Sequence, residues 1–247
     1  MKPLRLEMTN LDSDEHARSI QRMFTRIAPS YDLMNRIMTF SQDIRWRHEV
    51  VQRAKLPSRG VILDLGAGTG DLSQEVLQHY PGTRPIAVDF SIPMMQLGQR
   101  RPEAFKVDWV TADALCLPFP SGRFDAVISG FLMRNVIDIH KVLVESYRLL
   151  KPGGRMVVLD TTRSPRTPLS PLISIYLHDI IPLLGGLIAG DWMAYTYLPD
   201  SMKGFLMAEQ LAGELQKAGF LEVGFRRLML GTVAIHWGHK IDNHTKG

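Results

Sequence analysis

The stretch from Val61 to Leu72, VILDLGAGTGDL, constrains this chain more than any other. Val61, Ile62 and Leu63, with Leu65 beyond them, form an apolar run broken by one acid, Asp64, and followed by Gly66, Gly68 and Gly70. Such a run reads as a strand buried on both faces, the kind found in parallel sheets. The glycines allow φ > 0 and leave the turn without Cβ atoms, so a ligand can reach the backbone. Asp71 then opens a helix whose first N–H groups point at whatever fills the turn. The spacing is neither the dinucleotide G-x-G-x-x-G nor the phosphate-binding G-x-x-x-x-G-K-[ST]. No lysine follows to hold a phosphate, and Asp64 would repel a diphosphate. A cationic or zwitterionic ligand suits this turn better.

The flanking pattern supplies the architecture. Strands are expected at Arg84–Val88, ending in Asp89, then at Val107–Val110, Phe124–Ser129 and Arg155–Asp160. Helices are expected from Asp71 to about Tyr80, at Pro93–Arg101 and at Ile139–Leu150, with Lys151-Pro152-Gly153-Gly154 as a helix stop and turn. Alternation of this kind implies a doubly wound α/β sheet. After a helix at Ala208–Gly219, strands near Glu222–Met229 and Thr232–Lys240 are separated only by Leu230-Gly231. That spacing implies a hairpin, so a seven-stranded, mostly parallel sheet must contain one antiparallel strand. Upstream, residues 1 to about 14 are polar and expected to be loose. Ile20, Met23, Phe24 and Ile27 recur at helical spacing up to Pro29, and helices at Tyr31–Asn35 and Asp43–Ala54 complete an N-terminal helical cap over 14–56. Residues 161–206 depart from the βα rhythm and form an insertion.

At 247 residues and 45% apolar content, the chain is long enough for one domain with a sizeable core. A net charge of +4 is compatible with an anionic surface but does not select one. The single cysteine, Cys116, excludes internal disulfides and thiolate metal clusters and fits a reducing cytoplasm. MKPLRLEMTNLDSDEH has no apolar core of a signal peptide, so a cytoplasmic location is expected. Pro168–Gly190, PLSPLISIYLHDIIPLLGGLIAG, approaches a membrane span in length and has Asp179 as its only acid. Pro171, Pro182, Gly185 and Gly186 should break it, and His178 and Asp179 sit mid-run, so a helical pair capping the sheet is expected. It could wall a tunnel for a lipid tail and touch a bilayer from the periphery.

Acids recur at successive strand ends. Asp89 lies 19 residues past Gly70, where a doubly wound sheet places an acceptor for ribose hydroxyls. Asp113 follows the third strand and could accept from an adenine amino group, with the backbone N–H of Ala114 beside it. Three acids around a bare turn, Asp64 nearest an ammonium, match a cationic adenosyl ligand. The arrangement resembles the first motif of class I S-adenosylmethionine (AdoMet) methyltransferases, with a Rossmann-like sheet. Further signatures follow in order: YDLMN (31–35), LDLGAGTGDLS (63–73), ALCLPFPSGRFDAV (114–127), MRNV (133–136), YRLLKPGG (147–154), YLPDSM (197–202) and GTVAIHWGHK (231–240). From about Phe24 onward the chain resembles the ubiquinone/menaquinone biosynthesis C-methyltransferases. It departs from them in Phe131-Leu132-Met133, where Phe-Gly-Leu is usual, and in KGFLMAEQ after Met202, which lacks a Pro-Asp pair.

The resemblance implies an AdoMet site with Thr69, Asp89, Asp113, Ala114 and Gly130. With the turn glycines Gly66, Gly68 and Gly70, Asp64, and the strand-end neighbours Phe90 and Ser129, these make the candidate cofactor set. The implied product is S-adenosylhomocysteine, no metal is required, and the implied substrate is a lipophilic quinol. Methylating a quinol carbon needs an electron-rich ring, in-line alignment, proton removal and a dry pocket. Arg134, after the fourth strand, could stabilise a phenolate or position a water as base; a salt bridge is its equally weighted structural role. Tyr31 could close over the site from an N-terminal helix, and Asn135 accompanies Arg134 as a third catalytic candidate. His236 has a suitable ordinary pKa but reads better as a sheet histidine. A nucleic-acid substrate is disfavoured by the lack of an Asn/Asp-Pro-Pro-Tyr/Phe motif, of a Pro-Cys loop and of a basic aromatic stripe. O-methylation of a small molecule, or a catalytically silent AdoMet-binding regulatory or assembly subunit, are the alternatives. A homo-oligomer stays open at this point.

Overall fold

A computed structural model describes residues 13–164 and 167–242. The polar N-terminal tip expected to be loose falls almost wholly outside them. Seven strands form one sheet: β1 (Val61–Leu65), β2 (Arg84–Asp89), β3 (Asp108–Thr111), β4 (Phe124–Gly130), β5 (Leu150–Thr161), β6 (Leu221–Leu228) and β7 (Val233–His239). Their order is β3-β2-β1-β4-β5-β7-β6. β1 to β5 pair in parallel, β7 runs antiparallel to β5, and β6 antiparallel to β7. The antiparallel strand required by the late hairpin is therefore β7. Met229–Gly231 forms a single 3₁₀ turn between the two, with Met229 and Leu230 both at positive φ.

Helices cover both faces, which is why β1 is apolar on both. Leu63 and Leu65 pack with α6 (Ile139–Leu149) and a later helix carrying Leu211 and Leu215. Ile62 faces the other way, against Trp46 and Val50 of α3 (Gln42–Ala54) and Val76 of α4 (Asp71–His79). Each layer removes large side chains from water at roughly 1.5–3 kcal/mol apiece, before conformational entropy is subtracted.

The N-terminal cap comprises α1 (Ser13–Ile27), a 3₁₀ turn at Ala28–Ser30 containing Pro29, and α2 (Tyr31–Met38), before α3. The Lys151–Gly154 turn is absorbed into β5 instead of standing apart. Gly153 N–H donates to Lys240 O at 3.1 Å and Lys240 N–H to Gly154 O at 2.8 Å, and the β4–β5 register shifts between Phe124 and Ala126 to take up the extra residues.

The insertion differs more from expectation. Ser170–Ala189 is one continuous helix, α7, with wide π-type turns at Tyr176–Ile180 and Gly185–Ala189. Pro171 lies in its first turn, where no N–H is missed, and Pro182 follows the widened turn that relieves its clash with the preceding carbonyl. Gly185 and Gly186 do not break the helix but admit α8 (Trp192–Gly204). A Cβ on Gly185 would lie 2.3 Å from the Tyr195 ring, and one on Gly186 2.9 Å from Trp192. The pair packs on the N-terminal cap and faces Phe131, Thr161 and Val233 across a cavity. Ile181, Ala194 and Tyr195 join Ile27, Met34 and Met38 in a separate small core between insertion and N-terminal cap. The last helix is α9 (Ala208–Lys217), and α5 (Ile92–Gly98) follows β2.

α5 approaches the first turn so closely that a Cβ on Gly98 would lie 2.4 Å from the Trp109 ring and 2.7 Å from Thr69 O. Gly213 in α9 has open space around the same atom. In chemical denaturation, Gly98→Ala should destabilise by about 1–3 kcal/mol through overpacking, and Gly213→Ala should stabilise by about 0.5–1 kcal/mol through helix propensity. Equal effects of the two would contradict the packing described.

Candidate active site

The turn after β1 is pinned by its own backbone. Gly66 and Ala67 N–H both donate to Val88 O, at 2.8 and 2.9 Å, tying the exit of β1 to β2. Gly66 and Gly68 hold φ of +71° and +56°, which β-carbon-bearing residues rarely adopt. A Cβ at Gly66 would also strike Leu132 at 2.9 Å.

Around this turn the acids divide by environment. Asp89 accepts from Gly68 N–H at 2.8 Å and from Ser91 N–H at 2.7 Å, so its carboxylate stands across the turn mouth. Burial raises its pKa, against the pull of those N–H groups. Asp64 is fully enclosed. Its Oδ2 accepts from Ser73 N–H and Oγ at 2.9 and 2.7 Å, and its Oδ1 is buried with no partner among the described residues. Burial pushes its pKa up to about 7, despite the two Ser73 hydrogen bonds. The neutral acid thus favours the folded state at low pH, and that contribution is lost as pH rises through about 7. An orphaned carboxylate oxygen is costly to bury. A ligand ammonium would supply the missing donor, so the residues present fit a cationic amino-acid group.

Asp113 is placed differently. It is exposed, lies two residues beyond β3, and its Oδ1 accepts from Leu115 N–H at 2.9 Å. Neither it nor Ala114 lines the cavities described below. Ser129 Oγ donates to Leu65 O at 2.8 Å from a fully buried position, bracing β4 against β1. Gly130 and Phe90 do border the cofactor end. Thr69 is buried and its Oγ donates to Asp32 of α2 at 2.8 Å.

That last contact belongs to a helical cover. Asp32 also pairs with Arg101, which pairs with Asp71, which pairs with Arg47 of α3; Arg47 in turn meets the fully buried Asp43, shared with Arg36. Gln21 of α1 adds a hydrogen bond to Phe90 O at 3.0 Å. Burial raises the Asp71 pKa, but Arg47 and Arg101 more than reverse this and hold it below the usual range. Beneath the cover lie two pockets of ≈ 40 Å³ each, one at Asp64, Thr69 and Gly130, the other at Asp89, Phe90 and Asn135. Phe24 of α1 borders the second and Tyr31 of α2 borders both, so these two helices lie over the cofactor end.

Adjoining them is a cavity of ≈ 540 Å³ with mostly apolar walls, drawn from α1, α2, α7 and α8 and, at the sheet's carboxyl edge, from Phe131, Thr161, Met229 and Val233. Tyr31 and Phe131 line all three spaces and mark where they meet. Burial pushes the Tyr31 phenol up, while the Arg134 guanidinium and the Asn35 side chain draw it back. Arg134 opens onto the large cavity. Its Nη1 donates to the fully buried Asp160 at 2.8 Å, its Nε is buried without a hydrogen-bond partner among the described residues, and its guanidinium sits 5.5 Å above the Phe131 ring. The salt bridge and the site position therefore coexist. Asn135 is braced by Phe131 O and by the Tyr197 hydroxyl, which donates to its Oδ1 at 3.2 Å. His236 is a buried sheet residue bonded to Ala208 O, with its pKa pushed down to about 4 mainly by burial.

Asp160, Tyr197 and Phe131 were not singled out as site residues from the sequence. Asp160 carried a usable signal, an acid closing an apolar strand as Asp64 and Asp89 do. Tyr197 lay inside YLPDSM, and Phe131 had no signal beyond its neighbours.

The chain is similar to known proteins over most of its length. Residues 8–240 match the ubiE/COQ5 methyltransferase family. The chain is 45% identical over 221 residues to the ubiquinone/menaquinone biosynthesis C-methyltransferase UbiE of Desulfotalea psychrophila, covering 90% of each. It is 44% identical over 222 residues to the demethylmenaquinone methyltransferase of Thermus thermophilus, covering 88% of this chain and all of that one. The crystal structure of the [4+2]-cyclase SpnF superposes with a TM-score of 0.69 at 17% identity, over 92% of this chain and 97% of that one. A cyclase on the same sheet shows that the fold alone does not choose the reaction. On sequence, signatures and fold together, the chain belongs to the ubiE/COQ5 family of AdoMet-dependent methyltransferases.

Proposed function

We propose that this enzyme transfers a methyl group from AdoMet to a ring carbon of a polyprenylated quinol. The observation that carries the reading is the shared wall. An apolar cavity large enough for a ring and the start of a prenyl tail meets the cofactor pockets at Tyr31 and Phe131, with Arg134 on its rim.

When bound, AdoMet supplies a methyl already activated by a sulfonium. The turn glycines, Asp89 and Asp64 would hold it, with Asp113, just beyond β3, offered to the adenine amino group. The chain's own groups then have three tasks. Asp160 holds Arg134 on the cavity wall so that its guanidinium can donate to a quinol oxygen and favour the phenolate that feeds electrons to the ring carbon. Because the Arg134–Asp160 pair is neutral overall, this help is a hydrogen bond and not a full opposing charge. Tyr31, kept protonated by burial, can donate to the ring's other oxygen. The apolar walls exclude water while phenolate and sulfonium neutralise one another. The C–CH₃ bond forms as S–CH₃ breaks, and the ring hydrogen on that carbon leaves as a proton to restore aromaticity. A quinone lacks the hydroxyl this requires.

Demethylmenaquinol and 2-methoxy-6-polyprenyl-1,4-benzoquinol, each supplied with labelled AdoMet, should test the reading. Label on carbon is expected in at least one product, with Arg134→Ala lowering turnover about 10²-fold and leaving AdoMet affinity near that of the wild type. Label on oxygen, or none, would overturn the assignment.

The same reading extends to where the substrate comes from. α7 has a mean hydropathy of 1.8 yet is largely uncovered, with Leu172 64% and Leu187 75% exposed beside Ile175 and Leu183. An apolar helix lining the cavity on one side and facing outward on the other suits peripheral contact with a lipid surface. Wild-type protein should float with anionic liposomes, and Leu183→Asp/Leu187→Asp should stay with the unbound fraction. Equal behaviour of the two would remove the membrane role.

A further inference from the structure

One cluster of chemistry-bearing side chains lies outside everything used above. His48 of α3 and Glu75 and His79 of α4 bring two imidazoles and a carboxylate together where these helices pack, all their donor atoms within 4.8 Å of one another. Glu75 Oε1 is 3.1 Å from His48 Nδ1 and 3.3 Å from His79 Nδ1. A tetrahedral site with metal–ligand bonds of about 2.0–2.1 Å has ligand–ligand edges of about 3.3 Å. Two of the three edges already have that length, and the third closes by a small turn of an exposed ring. Glu75 and His79 are four residues apart, so α4 presents both on one face. Gln52, one turn beyond His48, places its amide nitrogen 2.6 Å from His48 Nε2, and rotation of the amide by 180° exchanges that nitrogen for the oxygen. With its oxygen toward the ring, it accepts the Nε2 hydrogen and leaves Nδ1 a free lone pair, the outer-shell support that ligating histidines have.

We propose that His48, Glu75 and His79 form a binding site for a divalent transition cation of the zinc type, with water in the fourth position. Two imidazoles and one carboxylate are the wrong donors for calcium or magnesium, which take oxygen ligands. On binding, His79 changes tautomer: the hydrogen that its Nδ1 shares with Glu75 O at 3.0 Å is carried on Nε2 instead, and the Nδ1 lone pair turns to the ion. The bound ion staples α3 to α4, the two helices that carry Arg47 and Asp71 to the cofactor end, and raises the stability of the fold by mass action.

Untagged full-length protein, stripped with a chelator and dialysed, would be titrated with Co²⁺ as the spectroscopic probe and with Zn²⁺ by calorimetry. The expected result is saturable 1:1 uptake, intense visible bands of tetrahedral Co²⁺ displaced by Zn²⁺, and a higher melting temperature. His48→Gln and His79→Gln should each weaken uptake by about tenfold or more, while melting like the stripped wild type. His140→Gln, on α6 across the sheet, should leave it unchanged. Absence of saturable uptake by folded wild type, or undiminished uptake by the His48→Gln/His79→Gln double variant, would overturn the site.

Discussion

Everything in this molecule depends on how β1 ends. Two successive N–H groups, Gly66 and Ala67, spend themselves on one carbonyl of β2, and the next, Gly68, on the carboxylate of Asp89. The turn therefore cannot relax into a strand or be drawn into the helix behind it. Its bare backbone is held open at the carboxyl edge of the sheet, the crevice where doubly wound sheets bind ligands. The two apolar layers exist to keep β1 and its neighbours fixed beneath that edge.

Over this rigid base lies a second, smaller assembly held by other forces. The cap joins the sheet through charge: Asp32, Arg101, Asp71, Arg47 and Asp43 form a chain of ion pairs that runs from α2 to α4. It joins the insertion through a small apolar core around Met34, Ile181 and Tyr195. The Asp32–Arg101 link to α2 is partly exposed and contributes little, whereas Arg47 with Asp43 and Asp71 forms buried pairs whose disruption is costly. Tyr31 and Phe131, where cap and sheet meet, border both cofactor and substrate spaces.

Much of this was legible beforehand because it is written locally. Glycine spacing, strand-end acids and alternating periodicities fix a doubly wound sheet without long-range information, and the Leu230-Gly231 spacing required the antiparallel strand. Boundary errors arose where tertiary pairing overrode local signals. Lys151–Gly154 reads as a turn, but Gly153 and Gly154 are hydrogen-bonded to Lys240, far along the chain. Pro182, Gly185 and Gly186 read as helix breakers, yet a π turn absorbs the proline and the glycines make room for Tyr195 and Trp192. In the site, the glycines, Asp64 and Asp89 declare themselves by spacing. Asp160 and Tyr197 act through Arg134 and Asn135, partners no nearer than 26 residues in sequence.

The central claim is that enclosed carboxylates at the end of β1 and β2 seat a positively charged methyl donor. Calorimetric titration of AdoMet into the wild type, Asp64→Asn and Asp89→Asn tests it most directly. Because Asp64 carries its proton up to about pH 7 in the free protein, ligand binding must discharge it. Wild-type affinity should then fall by up to about tenfold for each pH unit below that point, the slope should vanish in Asp64→Asn, and Asp89→Asn should bind far more weakly at every pH. A flat wild-type profile with both variants binding normally would contradict the account.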